Sequence, residues 1–225
     1  MRQAIREKNT IFLQQLVNET LVPNVYQVHI LNERFISEFL AELAHHEDSG
    51  IPQRRPNGMN RHGAILSDIG LGNAMQGLAE TVLRPLAQTL FPRNVAMSDL
   101  SELHSFVVTY EPGQDVQLNE HADASTVTVN ICLEPDLASP LYFQQAIHGD
   151  TDVMLVQQHV SHDTPGMAMI HLGQHRHGVS PVSGRRSNLV IWLYGEYGYV
   201  RVSDYSEEEA IVNRREWELA YGWAQ

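Results

Sequence analysis

The sequence predicts a mainly β fold with supporting helices, of sandwich or jelly-roll type, and three observations carry that expectation. The first hundred residues are mainly helical in pattern, the next hundred are mainly strand, and the strand runs are short, numerous and separated by turn residues. Residues 25–30, Val-Tyr-Gln-Val-His-Ile, read as the one early strand. Asn32 then stands as a helix N-cap, and Phe35, Ile36, Phe39, Leu40 and Leu43 recur at helical spacing, giving an apolar stripe that suits packing on a sheet. Gly, Pro and Asn crowd residues 48–60, which marks a loop. A second helical stretch over residues 73–90 offers Leu78, Leu83, Leu86 and Leu90 for burial; Pro85 kinks it or starts a new helix, and Pro92 closes it.

From His104 the period changes to two, with runs at 106–110, 126–133, 141–143, 153–160, 167–172, 187–194 and 199–202. The tail opens on Ser206 and three glutamates, Glu207 to Glu209, whose cap and charges suit a helix N-terminus; Ala210, Trp217 and Tyr221 would share one face of that helix. No repeat, low-complexity tract or linker divides the chain. The expectation is one domain over residues 1–225: helical support over 1–100, the jelly-roll core over 104–202 and a C-terminal helix over 203–225.

At 225 residues and 43% apolar content the chain can bury a sizeable core. Fifteen basic against 27 acidic residues give a formal charge of −12, with Lys8 the only lysine. Nucleic-acid binding normally needs a basic stripe to displace counterions, and an anionic membrane would be repelled, so neither is expected as a partner. A small molecule or a peptide or protein side chain is the expected substrate. Cys132, the only cysteine, allows no intrachain disulfide and sits in a β-branched run that suits an inert core thiol. Residues 1–22 alternate charged and apolar side chains and lack a signal-peptide or membrane-spanning run, so a cytoplasmic location is expected. Oligomeric state is not legible.

His121-Ala-Asp123, followed at a distance by His177 and Arg186, is the motif that carries chemistry. Two imidazoles and one carboxylate occupy one face of an Fe(II) octahedron, leaving open positions for a bidentate cosubstrate and dioxygen. An arginine nearby can hold that cosubstrate's far carboxylate through its forked donors. Residues two apart in a strand share a face, so His121 and Asp123 can aim at one ion. His171, His175 and His177 compete as third ligand. His177 is preferred because a small residue, Gly178, follows it and a Gly turn at Gly184 leads into a strand that carries Arg186; His175 with Arg185 has a similar separation and is the competing pairing. Strand alternation puts Arg186, Asn188, Val190 and Trp192 on one face, with Asn188 able to add a hydrogen bond beside the clamp. Tyr110, which ends a strand before Glu111-Pro112-Gly113-Gln114-Asp115, is either a core aromatic with a wet hydroxyl or a cosubstrate contact. Arg55, Asn57, Asn60, Arg61 and His62 in the Gly/Pro/Asn-rich loop are candidate substrate-binding residues, if part of that loop folds over the iron mouth.

These residues resemble the Fe(II)/2-oxoglutarate-dependent dioxygenase superfamily in its prolyl-4-hydroxylase-like branch. The flanks Arg55-Pro56-Asn57-Gly58-Met59-Asn60-Arg61-His62-Gly63, Phe106 to Asp115, the 126–133 run and Leu141-Tyr142-Phe143 extend the resemblance over about residues 50–195. Ala138-Ser139-Pro140 departs from the Gly-Gly pair that relatives often carry before the Leu-Tyr-Phe strand. The resemblance implies a double-stranded β-helix (jelly roll), His121, Asp123 and His177 as catalytic iron ligands, and Arg186, Tyr110 and Asn188 as contacts to 2-oxoglutarate, the cosubstrate. It implies hydroxylation of an aliphatic C–H on a peptide or protein side chain or a small metabolite, with O2 consumed and succinate and CO2 released. The carboxylate at Asp123 argues against halogenation, since related halogenases leave that position empty. The alternatives are a non-catalytic 2-oxoglutarate or metal-binding module and, against the charge, a nucleic-acid demethylase.

Overall fold

A computed structural model describes residues 16–51, 54–95, 100–148 and 153–195. The strand expected at 199–202 and the C-terminal helix lie outside the described residues. Two very short strands come first, β1 (Asn18–Glu19) and β2 (Tyr26–His29), so the early segment holds a hairpin where a single strand was expected. Helix α1 (Glu33–Asp48) starts as its sequence dictates, for the Asn32 side chain accepts from the Phe35 backbone N–H at 2.8 Å. Ile36 and Phe39 are buried, and Phe35, Leu40 and Leu43 pack partly against the same core.

After β3 (Gly63–Ile65), the second helical stretch is divided into α2 (Gly72–Leu78), one wide π-type segment at Ala79–Leu83, and α3 (Arg84–Leu90). Pro85 sits in the first turn of α3, where a residue without an N–H is tolerated, and the widened turn before it absorbs the missing hydrogen bond. The β region then runs through β4 (Glu102–Tyr110), β5 (Leu118–His121), β6 (Val127–Glu134), β7 (Leu141–His148), β8 (Val153–Val160), β9 (Met167–Leu172), β10 (His177–Val179) and β11 (Arg186–Tyr194).

Two antiparallel sheets result, one in the order β1-β2-β9-β6-β11-β4-β3 and one in the order β5-β10-β7-β8. Alternation along β11 divides the molecule into two cores. Leu189, Ile191 and Leu193 face a cluster with Ile36, Phe39, Leu86 and Phe91, which is the helical layer. Val190, Trp192 and Tyr194 face a second cluster with Leu141, Phe143 and Val179 from the smaller sheet. The larger sheet is thus covered on one face by helices and on the other by the smaller sheet. Residues of β11 are buried on both faces, so this strand reads as a continuous apolar run interrupted only where polar groups are needed. Cys132 lies fully buried in that core. These are the two sheets of a jelly roll, and the polar groups discussed next are inserted between them.

Candidate metal and cosubstrate site

Register brings the ligands together. His177 in β10 pairs directly with His121 in β5 on one side and Phe143 in β7 on the other. Asp123 lies just beyond the end of β5, and its backbone N–H donates to the Gly173 carbonyl at 2.8 Å. The structure brings His121 and Asp123 together as the strand-face argument expected, but by other local geometry: Asp123 lies past the end of β5 and is held by a bond to the β9–β10 turn, not by strand alternation.

The three side chains place one ligand atom each within 4.8 Å of one another. His121 Nε2 lies 3.3 Å from Asp123 Oδ1, and His177 Nε2 lies 3.6 Å from Asp123 Oδ2. Each imidazole's other nitrogen is tied to a carbonyl, His121 Nδ1 to Asn119 O at 2.8 Å and His177 Nδ1 to His175 O at 2.9 Å. A carbonyl can only accept, so both Nδ1 atoms carry the proton and both Nε2 lone pairs face the carboxylate. Lone pairs and a carboxylate converging in a buried space repel unless a cation sits among them, and a divalent ion fits that donor set. Thr128 Oγ1 donates to Asp123 Oδ2 at 2.6 Å and fixes the carboxylate from behind.

A proton on an imidazole can serve in place of that cation. Burial works to raise the Asp123 carboxyl, but the His177 and His121 imidazoles outweigh it and hold the group well below the usual carboxylate range. Burial works to lower His121, yet its hydrogen bond and charge interaction with Asp123 leave it raised. His171, one of the sequence competitors, is fully buried with its ring centroid 4.5 Å from that of His177, and burial pushes it down to about 4. Its Nδ1 bonds the Leu172 carbonyl at 2.9 Å, and it packs beside the triad as a neutral ring. The competing pairing fails on position. His175 packs its ring against Phe143 outside the triad, while Arg185 is exposed and pairs with Glu134 at 3.2 Å and Glu111 at 3.4 Å.

Arg186 is fully buried and directly opposite Tyr110 in the β11–β4 register. Its Nη1 donates to the Ser139 carbonyl, its Nη2 lies 3.1 Å from His162 Nδ1, and its Nε finds no partner. No carboxylate among the described residues forms an ion pair with it. A buried guanidinium without a counter-ion is costly, and the arrangement suits an anion delivered by a ligand. Asn188, also buried, donates to Asn130 Oδ1 at 2.6 Å and leaves its own Oδ1 unpartnered. Tyr110 is buried with its hydroxyl accepting from Asn60 Nδ2 at 3.0 Å, and burial raises its pKa far enough to keep it protonated.

One narrow cavity is lined by the triad together with Tyr110, Asn188, Thr128, Asn57 and Asn60. Of the loop residues expected near the mouth, Asn57 and Asn60 line this cavity. Asn57 Oδ1 accepts from the backbone N–H groups of Met59 and Asn60, and Asn57 Nδ2 donates to Asn60 Oδ1 at 3.0 Å. Arg55, Arg61 and His62 do not line it. Arg55 braces the turn from outside through the Gly58 and Asn60 carbonyls, and Arg61 and His62 border a separate groove beside α1. Their backbone N–H groups bond Asp115 Oδ2, and that anchor turns their side chains away. Sequence reading missed Thr128, Ser139 and His162, none of which falls in a spacing pattern. Asp136 was missed too; it accepts from the Ser183 and Gly184 N–H groups and pins the turn leading into Arg186.

Gly178 follows the ligand because nothing larger fits: a Cβ there would meet the Tyr142 ring at 2.3 Å and the Leu118 carbonyl at 2.6 Å. Gly178→Ala should push β5, with His121, away from β10. We expect a loss of roughly 1–3 kcal/mol in denaturant unfolding, as overpacking usually costs, together with weakened metal binding by titration. Metal affinity equal to wild type would show that this contact does not hold the ligands together.

Residues 1–96 match the OGFOD2-like domain family. Human 2-oxoglutarate and iron-dependent oxygenase domain-containing protein 2 is 35% identical over 186 residues, covering 80% of this chain and 52% of that protein. The chain spans about half the length of the curated relatives it matches. Among solved structures, the epimerase SnoN in complex with Fe3+, alpha ketoglutarate and nogalamycin RO aligns with a TM-score of 0.58 at 17% identity, covering 87% of this chain and 88% of that one. A prolyl hydroxylase from Trichoplax adhaerens, in complex with a hypoxia inducible factor peptide fragment, aligns with a TM-score of 0.57 at 16% identity, covering 85% and 92%. At these identities the structural likeness shows the shared fold.

Proposed function

We propose that the chain belongs to the Fe(II)/2-oxoglutarate oxygenase superfamily, as its match to the OGFOD2-like domain and its similarity to 2-oxoglutarate and iron-dependent oxygenase domain-containing proteins support, and that it is a dioxygenase that hydroxylates an aliphatic C–H of a peptide or protein side chain or of a small metabolite. The observation that carries this reading is one barrel interior holding both a three-ligand face and a buried guanidinium with no carboxylate partner among the described residues. His121, Asp123 and His177 would hold Fe(II), and Arg186 would take the far carboxylate of 2-oxoglutarate, with Tyr110 and Asn188 beside it. When bound, these groups supply oxidative decarboxylation: 2-oxoglutarate, O2 and R–H give succinate, CO2 and R–OH.

The chain's own residues contribute placement. The carbonyls of Asn119 and His175 keep the Nδ1 protons in place, so both Nε2 atoms stay available as ligands. Thr128 keeps the Asp123 carboxylate oriented. Tyr110, held protonated by burial, can donate to an oxygen of the cosubstrate. Asn57 and Asn60 line the cavity and would help exclude water from the reacting C–H. Loop opening would admit the substrate, and the narrow, uncharged surroundings of Met59, Leu118 and Val179 favour a neutral aliphatic group there. The hypoxia-factor peptide held by the Trichoplax adhaerens enzyme supports a peptide as one substrate class. The net charge of −12 supports a partner other than nucleic acid. We also propose a single catalytic domain and a cytoplasmic location.

Succinate release from 2-oxoglutarate, with and without O2, tests the reading in the absence of a known substrate. Slow uncoupled turnover that needs both Fe(II) and O2, and is lost in Asp123→Ala, is the expected result. Binding of 2-oxoglutarate and metal with no succinate, even across peptide and metabolite libraries, would identify a non-catalytic module. Asn60→Ala should raise that uncoupled rate by opening the lid, an effect read directly against wild type.

A further inference from the structure

His162 is 2% exposed in the loop between β8 and β9, remote in sequence from every group placed in the site so far. Its Nε2 lies 3.1 Å from the Met167 carbonyl, which can only accept, so Nε2 carries the proton and Nδ1 presents a lone pair. That lone pair faces two donors, Arg186 Nη2 at 3.1 Å and Asn188 Nδ2 at 3.3 Å. These are the two β11 side chains assigned to 2-oxoglutarate, and both are buried.

We infer that His162 is a positioning residue for 2-oxoglutarate, a neutral imidazole whose Nδ1 holds the Arg186 guanidinium and the Asn188 carboxamide in the orientation that receives the cosubstrate's far carboxylate. The inference rests on the functional reading above. The Ser139 carbonyl holds Arg186 Nη1 and His162 holds Nη2, so the fork is fixed at both tips by uncharged acceptors. A carboxylate in either place would neutralise the guanidinium and compete with the ligand. An uncharged acceptor orients the fork and leaves its charge free. Burial first, and the Arg186 charge second, push the His162 pKa down to about 3, so the ring is neutral and its lone pair is available across the physiological range. Asn188 shares the same acceptor, which links the rotamers of the two cosubstrate contacts.

The test is 2-oxoglutarate affinity measured by calorimetry on the full chain loaded with Mn(II). His162→Leu removes the acceptor, and His162→Asn returns an oxygen near the position of Nδ1; both lose the Met167 bond, so the difference between them reads Nδ1 alone. His162→Leu should weaken 2-oxoglutarate about ten-fold or more, the usual effect of losing a hydrogen bond to a charged group, with Mn(II) affinity unchanged. His162→Asn should return to within about three-fold of wild type. Leucine binding as tightly as wild type, or asparagine as weak as leucine, overturns the inference while leaving the functional reading intact. Wild-type protein that binds Mn(II) but no 2-oxoglutarate overturns both. Independently of any variant folding, nitrogen NMR of the wild type should show His162 as the Nε2–H tautomer at pH 7; an imidazolium or an Nδ1–H tautomer overturns the inference.

Discussion

Replacing Arg186 with methionine should weaken 2-oxoglutarate binding by about 30-fold or more, because removing one member of a buried charge pair costs about 2–5 kcal/mol. The same substitution should leave the protein folded. Without ligand, Arg186 is a fully buried cation with no carboxylate partner among the described residues, and such a group weighs against folding. Methionine removes that cost while stranding the Ser139 carbonyl and the His162 nitrogen, so the two changes nearly offset and apo stability should shift by less than about 2 kcal/mol. Calorimetric titration and chemical unfolding on the same sample give both numbers. A large fall in apo stability with little change in affinity would make Arg186 a structural residue and remove the cosubstrate assignment.

The second large effect concerns the ligands. His177→Ala should reduce Fe(II) or Mn(II) affinity by more than about 100-fold, since losing even an outer-shell partner of a metal ligand costs 10–100-fold. His175→Ala, two residues away, should change it little, because that ring packs on Phe143 and offers nothing to the triad. The pair decides between the two sequence pairings in one experiment. Equal losses in both variants would mean that the β9–β10 turn as a whole, and not the His177 imidazole, governs metal binding.

Much of the fold was legible because it is local. Asn32 caps its helix through a bond only three residues long, Pro85 interrupts its helix where a missing N–H must, and the alternation along β11 sorts Arg186 and Asn188 from their neighbours. The strands that carry the two histidine ligands were not legible. Leu118–His121 and His177–Val179 are four and three residues long, too short to show a period, and they are strands only because they pair with each other and the second also pairs with β7. The candidate ligands themselves could be read from residue type and order; their tautomers could not, since these depend on carbonyls at Asn119 and His175. Residue chemistry alone could not sort the loop's cations from its asparagines. Asp115 anchors the Arg61 and His62 backbone and Arg55 bonds the Gly58 and Asn60 carbonyls, and none of the three lines the cavity that Asn57 and Asn60 line. His162 was invisible for the same reason, because it meets Arg186 across 24 residues of chain.

Anaerobic titration of the metal-free protein with Fe(II) and then 2-oxoglutarate is the most direct check on the claim that one barrel interior holds both. Wild-type protein should develop a weak visible charge-transfer band that saturates at one 2-oxoglutarate per chain and needs the metal, with no band in His177→Ala and a band only at far higher 2-oxoglutarate in Arg186→Met. A wild type that binds Fe(II) but shows no band with 2-oxoglutarate, or a band unchanged in His177→Ala, would contradict the account.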